Sequence, residues 1–541
     1  MSQSAKIEEI IDTTEDHLSE SESDAGEENE DESAVALPSE SQNKKKKKKK
    51  SKAARALAAL RGKPEVPQAI VDQVLDRVKA EGAPGSEQAD EATVRLALEQ
   101  MRIMDVVQGK AGPGGHNKKD MGAHKFWATQ PVPQPGEGPP LDDGYIEASV
   151  SPDQVRQEPY PIPKDFEWSI VDIDDPKQNQ EVYDLLSLHY VEDDDASFRF
   201  QYTAEFFQWA LKPPGYFKEW HVGVRVSSNK KLVAFISGVP MTLRVRGKTF
   251  TASEINYLCV HKKLRSKRLA PVLIKEVTRQ VHLKGIFQAI YTAGVVIPTP
   301  IAVCRYNHRS LNISKLVDVG FTFVPRNMTI ARMIRDNRVP DSPILNIRPM
   351  QEKDVVGVAE LYTKYMARFD MFPVLNLDEV RHQFLSGQGT GPVKDGRREA
   401  QVVWTYVVED PATQRITDFF SFYFLPSTII NNAKHPVLNA AYLYYYATEV
   451  AFEEGSEEDG RLKERLRILI GDALVIANQA KMDVFNALTL MDNVSILREL
   501  KFGPGDGYLN FYLYNWRTAK LAGMTAEGDT KPGKGVGVVM L

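Results

Sequence analysis

The chain has 541 residues, 42% hydrophobic and 9% aromatic, with a net charge of −5, which supports several packed domains and gives no bulk charge for a polyanion partner. Its two cysteines, Cys259 and Cys304, exclude a disulfide framework and a thiolate metal site and suit a reducing cytosol. No apolar run reaches the roughly 18 residues of a membrane span, and the polar, acidic N-terminus has no signal-peptide pattern.

Residues 1–110 read as a disordered arm. Thr14 to Ser33 is rich in Asp, Glu and Ser, with almost nothing to bury. An unbroken lysine run from Lys44 to Lys50 follows; it is either a solvated tail or an electrostatic tether to ribosomal RNA or another polyanion. The stretch H-K-F-W-A-T-Q-P-V-P, from His124 to Pro133, precedes a Pro- and Gly-rich segment and reads as an extended loop. Its aromatics either pack on a domain surface or, with Lys125, meet a ligand carrying phosphates and a flat base.

The folded body starts near Tyr160. A short helix over 180–189 leads into the acidic stretch Glu192, Asp193, Asp194 and Asp195, followed by Phe198 and Phe200. This is either a solvated loop or part of a groove that selects basic peptides; no further ligands stand at metal-binding spacing. Alternation of Trp220, Val222, Val224 and Val226 predicts a strand, and 231–238 and 242–246 continue a meander. A strand over 254–260 then enters a turn carrying Lys262, Lys263, Arg265, Lys267 and Arg268. The following helix opens at Leu269-Ala270-Pro271, and Leu269, Val272, Leu273, Val277 and Val281 share one face. Pro271 suits a first turn and Lys284-Gly285 a stop. Free N–H groups and partial positive charge at a helix start favour phosphate, so the turn is a candidate anion site. A solvated basic loop is the plainer alternative. A strand over 287–295, a short helix over 309–317 and a strand over 321–324 complete this half.

After a Pro-containing linker over 335–346 the order recurs. Helix 354–366, strands 402–409, 416–424 and 440–447, helix 462–481, strand 484–488, helix 494–500 and strand 509–516 are expected. Both halves read as antiparallel strands followed by β-α-β-α-β, which suggests two similar α+β halves packed side by side. The boundaries fall at 111–340 and 341–541. The second half has no basic turn: its equivalent, near 449–461, is acidic. Lys501 to Gly507, K-F-G-P-G-D-G, reads as a tight Gly-rich loop, and the apolar end, Gly535 to Leu541, as a buried terminal strand with its carboxylate held in place.

Six blocks, 124–133, 190–202, 254–271, 291–309, 483–490 and 501–516, together resemble one family, the glycylpeptide N-tetradecanoyltransferases or N-myristoyltransferases, in a fungal-like form. E-I-N-Y-L-C-V-H-K and K-F-G-P-G-D-G look like its two signatures. The likeness covers roughly 124–541. It implies an α+β fold of two GNAT acetyltransferase-like halves around a large mixed, mainly antiparallel sheet. The implied reaction moves myristate from myristoyl-CoA to an N-terminal glycine, with no prosthetic group and no metal.

Residue by residue, the resemblance implies that His124, Lys125, Phe126 and Trp127 cover the coenzyme A end of the donor. Arg265, Ser266, Lys267, Arg268, Leu269, Ala270 and Pro271 would hold its phosphates. Backbone N–H groups of Tyr257 and Leu258 would form an oxyanion hole, with Cys259 and Val260 continuing the donor-binding strand. Asn256 and Thr292 would orient the amine, and the carboxylate of Leu541 would be the base. Val191, Asp193, Asp195, Phe198, Phe200, Thr292, Tyr306, His308, Ser421, Tyr442 and Asp506 would line the peptide groove.

Chemistry agrees with these roles. An α-amine has a pKa near ~8 and must lose a proton, which a neighbouring carboxylate can take. A thioester is already reactive, so no covalent nucleophile is needed, and Cys259 reads as a packing residue. Expected substrates are peptides with N-terminal Gly, Ser at the fifth residue and basic residues beyond. The expected enzyme is a cytoplasmic monomer, ribosome-associated through the lysine run. Two alternatives stand beside it: a short-chain acetyltransferase of the same superfamily, and a silent ribosome-associated binder of acyl-CoA or peptide. Two departures bear on the site. The 517–534 segment is longer than in many members, and Tyr257 stands where Phe is common.

Overall fold

The computed structural model describes residues 124–134, 136–191, 197–265, 267–522 and 535–541. The N-terminal arm with its lysine run, Asp193, Asp195, Ser266 and most of the 517–534 segment lie outside those residues.

The chain first forms strands β1 (Phe166–Ile170), β2 (Phe198–Phe200), β3 (His221–Val226), β4 (Leu232–Val245), β5 (Lys248–Val260), β6 (Gln288–Ala293) and β7 (Ala302–Ser310). Helices α1 (Pro176–His189), α2 (Ala204–Leu211), α3 (Leu269–His282), α4 (Ile313–Asp318) and α5 (Ile330–Asp336) accompany them. The remainder supplies β8 (Ile347–Pro349), β9 (Met371–Pro373), β10 (Thr390–Lys394), β11 (Arg397–Glu399), β12 (Val403–Glu409), β13 (Ile416–Phe424), β14 (Ser427–Ile429), β15 (Val437–Leu438), β16 (Ala440–Thr448), β17 (Val484–Leu488) and β18 (Gly503–Tyr514). Its helices are α6 (Val355–Met366), α7 (Leu377–Arg381), α8 (Arg461–Gln479) and α9 (Val494–Leu497).

One sheet of 13 strands runs β1-β3-β4-β5-β6-β18-β7-β17-β16-β13-β12-β8, with β9 attached to β4. Only β5–β6 and β16–β17 are parallel among its pairs, and each is bridged by a long helix, α3 or α8. That connection is what a parallel pair requires. The two parts therefore repeat one plan. They also exchange strands: β18 lies between β6 and β7, and β7 between β18 and β17. The helices form where their apolar faces predict. Leu269, Leu273, Val277 and Val281 of α3 are buried, as are Leu462, Leu466, Leu469 and Ile470 of α8.

Four expectations change. β4 is one strand of 14 residues, where two, over 231–238 and 242–246, are expected. Pro240 lacks an N–H, but it sits between the end of β3, paired to Ser237, and the start of β9, paired from Leu243; only its β5 side carries a partner, Ser253. The gap tolerates it. Residues 321–324 form no strand, and Phe323 is 80% exposed; the strand in this region is β7. Gly503 to Gly507 belong to β18 with an irregularity between Pro504 and Tyr508. A Cβ on Gly505 would stand 2.2 Å from Nε2 of His308, so glycine is required there. The terminal segment is buried, but among the described residues its only strand-like pairing is one bridge, Val536 to Met371.

Candidate active site

β5 and β6 pair from Ala252 with Gln288 as far as Ile255 with Tyr291, and no further. β5 then continues along β4 to Val260, and β6 along β18 to Ala293. The sheet forks, and Asn256 and Thr292 are the first residues on its two arms. Just past Asn256, β5 bulges. Ser237 pairs with Asn256 and Phe235 with Cys259, so Tyr257 and Leu258 together oppose Ile236. Tyr257 has φ +58°, a left-handed conformation that costs a side-chain-bearing residue about 1–2 kcal/mol. Packing holds it there: Tyr257 is 1% exposed, with Tyr202 and Phe207 edge-on at 5.1 and 5.6 Å. A bulge re-aims backbone groups out of the ladder. The N–H of Tyr257 donates to the hydroxyl of Tyr190, a residue that the sequence reading did not assign to the site.

The end of the chain reaches this fork. Val536, Val538, Val539 and Met540 are buried. The Gly535 N–H donates to the Asp370 carboxylate at 2.9 Å, and Gly537 N–H to the Met371 carbonyl at 2.7 Å. Met491 N–H donates to the Val536 carbonyl at 2.9 Å, and Val539 N–H to the Tyr445 hydroxyl at 3.1 Å. The parallel pair β16–β17 ends at Tyr442 with Asn486, so Tyr445 and Met491 lie beyond it on the two arms of a second fork. The terminal segment is bonded to both. Its last N–H, on Leu541, donates to the carboxylate of Glu254. That carboxylate also accepts from Nδ2 of Asn256 at 2.7 Å. Burial pushes the Glu254 carboxyl up to about 7, against the pull of these two hydrogen bonds. Glu254, Tyr444, Tyr445, Val539 and Leu541 line one cleft, with Glu379 and Gln383 also on its wall. Glu254 is the second residue that sequence reasoning missed; its partner Leu541 is remote in the chain, and no local pattern marks it.

Beyond the bulge, Cys259 is buried, its thiol 3.8 Å from the Leu185 carbonyl and pushed up to about 12 by burial. It is unsuited to nucleophilic attack near neutrality. β5 ends at Val260 and enters a single 3-10 turn over Lys262–Leu264. Lys262, Lys263, Arg265, Lys267 and Arg268 are all exposed. The Arg265 guanidinium donates to the His189 carbonyl. Arg268, in the left-handed conformation at φ +59°, precedes α3 and gives it no side-chain cap. Ala270 and Pro271 lie half-buried in its first turn. Cations thus cluster at a helix start that no side chain caps. The loop from His124 docks on the same part of the sheet: Trp127 stacks on Tyr291 at 5.4 Å and meets Phe126 edge-on at 5.1 Å, while Lys125 is exposed.

Of the expected groove residues, five are linked by ring contacts. Tyr442 meets Phe200 at 6.4 Å and Tyr306 at 6.5 Å; Phe321 meets Phe198 at 5.6 Å and His308 at 5.4 Å. His308 Nδ1 lies 2.6 Å from Oδ1 of Asn486. Burial lowers the His308 pKa, partly offset by that bond and by the charge of exposed Asp506. Val191 is 45% exposed. Ser421 differs: it is 0% exposed, and its hydroxyl bridges the Tyr445 backbone, donating to the carbonyl at 2.7 Å and accepting from the N–H at 3.1 Å. Among the described residues no cluster of three or more His, Cys, Asp or Glu is placed to hold a metal ion. No described helix is long and apolar enough to cross a membrane.

Comparison with known proteins agrees with the motif reading. The N-terminal domain of myristoyl-CoA:protein N-myristoyltransferase matches residues 145–304, and its C-terminal domain matches residues 318–539. The glycylpeptide N-tetradecanoyltransferase of Emericella nidulans is 51% identical over 451 residues, covering 82% of this chain and 90% of that protein. The Saccharomyces cerevisiae enzyme of the same name is 48% identical, covering 78% of this chain and 93% of that protein. A crystal structure of Saccharomyces cerevisiae N-myristoyltransferase with bound myristoyl-CoA superposes with a TM-score of 0.72 at 46% identity, covering 77% of this chain and 99% of that chain. With both domains matched in order and half the aligned residues shared, this chain belongs to the myristoyl-CoA:protein N-myristoyltransferase family.

Proposed function

We propose that the chain transfers the tetradecanoyl group of myristoyl-CoA to the N-terminal glycine amine of proteins by direct addition and elimination. The fork between β5 and β6 carries this reading. It brings an N–H-presenting bulge, Asn256, Thr292 and the chain end to one place, with the basic turn and the α3 start at the end of the same strand.

In this reading Lys262, Lys263, Arg265, Lys267, Arg268 and the first turn of α3 hold the donor's phosphates, and His124 to Trp127 cover its coenzyme A end. Asn256 and Thr292 orient the glycine ammonium, and the terminal carboxylate of Leu541 takes one of its protons. The free amine attacks the thioester carbonyl carbon. Negative charge develops on the carbonyl oxygen, where the N–H of Leu258 and, once it leaves the Tyr190 hydroxyl, the N–H of Tyr257 stabilise it; each such donor supplies about 3 kcal/mol. The carbon–sulfur bond then breaks, and the departing thiolate receives a second amine proton, which leaves one on the amide nitrogen. Phe198, Phe200, Tyr306, His308, Tyr442 and Asp506 guide the peptide. Ser421 acts through the Tyr445 backbone rather than on the peptide.

The test is transfer of labelled myristoyl-CoA to a peptide beginning Gly-X-X-X-Ser, with a Gly-to-Ala peptide as control and acetyl-CoA as competitor. Label on the glycine peptide alone is expected. Equal use of acetyl-CoA would move the assignment to a short-chain acetyltransferase, and no transfer by folded protein would leave only a binder.

A further inference from the structure

We propose that Glu254 is a positioning residue for amine activation: its one carboxylate holds both Leu541, which carries the terminal carboxylate, and the side-chain amide of Asn256. This rests on the transfer reading above and deepens it.

Three placements support the assignment. Glu254 lies two residues before Asn256 on β5, hence on the same face of the strand, at the root of the fork. It lines the cleft that also holds Leu541 and Val539. It accepts from the Leu541 N–H and from Asn256 Nδ2 together, so a shift of Glu254 moves both groups at once. Among the described residues, the other hydrogen bonds of the terminal segment lie upstream, at Gly535, Val536, Gly537 and Val539. Glu254 is the tie on the last residue itself.

Several ionisable groups face Glu254. Tyr444 and Tyr445 come from β16, Tyr257 from β5, Glu379 from α7, and the terminal carboxylate from the chain end. Burial raises all three tyrosine hydroxyls, so none ionises near neutrality. Burial also raises Glu379, which makes Glu379→Gln the necessary control.

The decisive variant is Glu254→Gln. It preserves shape and accepts from Leu541 only through a neutral, weaker amide oxygen, while it removes the charge and turns an NH2 group toward Asn256. Single-turnover rates, myristoyl-CoA affinity by calorimetry and hydrogen exchange of the Leu541 amide would be measured on the full chain. The expected result is a 10- to 100-fold slower chemical step, on the order of what an ångström of misplacement costs. Donor affinity should stay within about twofold, since the donor's phosphate contacts lie at the other end of β5. The wild-type rate should fall as pH drops through about 7, and this limb should disappear in Glu254→Gln but persist in Glu379→Gln. Leu541 exchange should quicken while that of Val539, held by Tyr445, stays unchanged. An unaltered chemical step with the limb intact would overturn the proposal, as would equal losses in donor affinity and rate. Absence of transfer by wild-type protein would instead sink the transfer reading, and the exchange measurement still reports on the tether in that case.

Discussion

At Glu254, a carboxylate on which the chain end depends is also a source of instability at alkaline pH. Its pKa rises from the ordinary 4.5 to about 7 in the folded chain because burial disfavours the charge. The folded state therefore binds more protons than the unfolded state between these values. The associated stability is fully present below about 4.5 and is lost as pH rises through about 7. Its size is at most about 3 kcal/mol, and the water admitted by the cleft reduces it. Glu254→Gln should therefore gain on wild type in melting temperature between pH 5 and pH 8, even as the chemical step slows. Thermal melts of both proteins at the two pH values check this; a constant difference would mean that Glu254 is well solvated. Residue identity alone could not expose this behaviour, because E-I-N-Y-L reads as a strand whose glutamate faces either solvent or core. The Tyr257 bulge was hidden for a related reason. A tyrosine gives no signal of positive φ as a glycine would, and the conformation is imposed by the rings of Tyr202 and Phe207.

Elements were legible where side-chain pattern and tertiary setting agree. β13 and β17 match their expected bounds because mostly apolar runs, buried on both faces, fill them. β7 escaped detection because A-V-C-R-Y-N-H-R-S carries five polar side chains, yet the strand runs mid-sheet with Tyr306 and His308 against Tyr442 and Phe321. Conversely, F-T-F-V at 321–324 alternates like a strand, while Phe321 merely packs over His308. The basic turn was readable because its chemistry is local: cations, a stop in the strand and a helix start adjoin in sequence. That locality sets a clear expectation for Lys267→Ala combined with Arg268→Gly. Glycine relieves the left-handed backbone at Arg268, so thermal stability should hold or rise. Each lost charge at the helix start is worth about 0.3–1 kcal/mol toward an anion, so myristoyl-CoA affinity should fall roughly 3- to 30-fold. The loss should shrink as salt is raised, because exposed charges are screened. Calorimetric titration at two ionic strengths measures both; an affinity unchanged at low salt would place the phosphates elsewhere.

Across the whole molecule, the two parallel pairs make equivalent forks that serve different occupants. The first fork ends in cations and an uncapped helix start. The second has its arms bonded to the chain's own last residues, through Tyr445 and Met491. Strand exchange through β7 and β18 ties the forks into one sheet, so the position of Leu541 is set by both halves. The repeat of element order announced two similar halves, but not that each completes the other; that pairing depends on contacts between strands far apart in sequence. It follows that chain length should be a kinetic parameter. Deleting Leu541 moves the terminal carboxylate back by one residue, about 3.8 Å between Cα atoms, and also removes the N–H that Glu254 accepts. Adding one glycine instead keeps that N–H but carries the carboxylate past the fork. Val536 to Met540 stay in place in both variants, so the fold and donor affinity should persist, the latter within about twofold. Single-turnover transfer should fall at least about 100-fold in each. The glycine addition is the sharper case, because it preserves every backbone hydrogen bond of the terminal segment and displaces only the carboxylate. Full turnover in that variant would remove the terminal carboxylate from the reaction and leave Glu254 as the nearest group able to take the amine's proton.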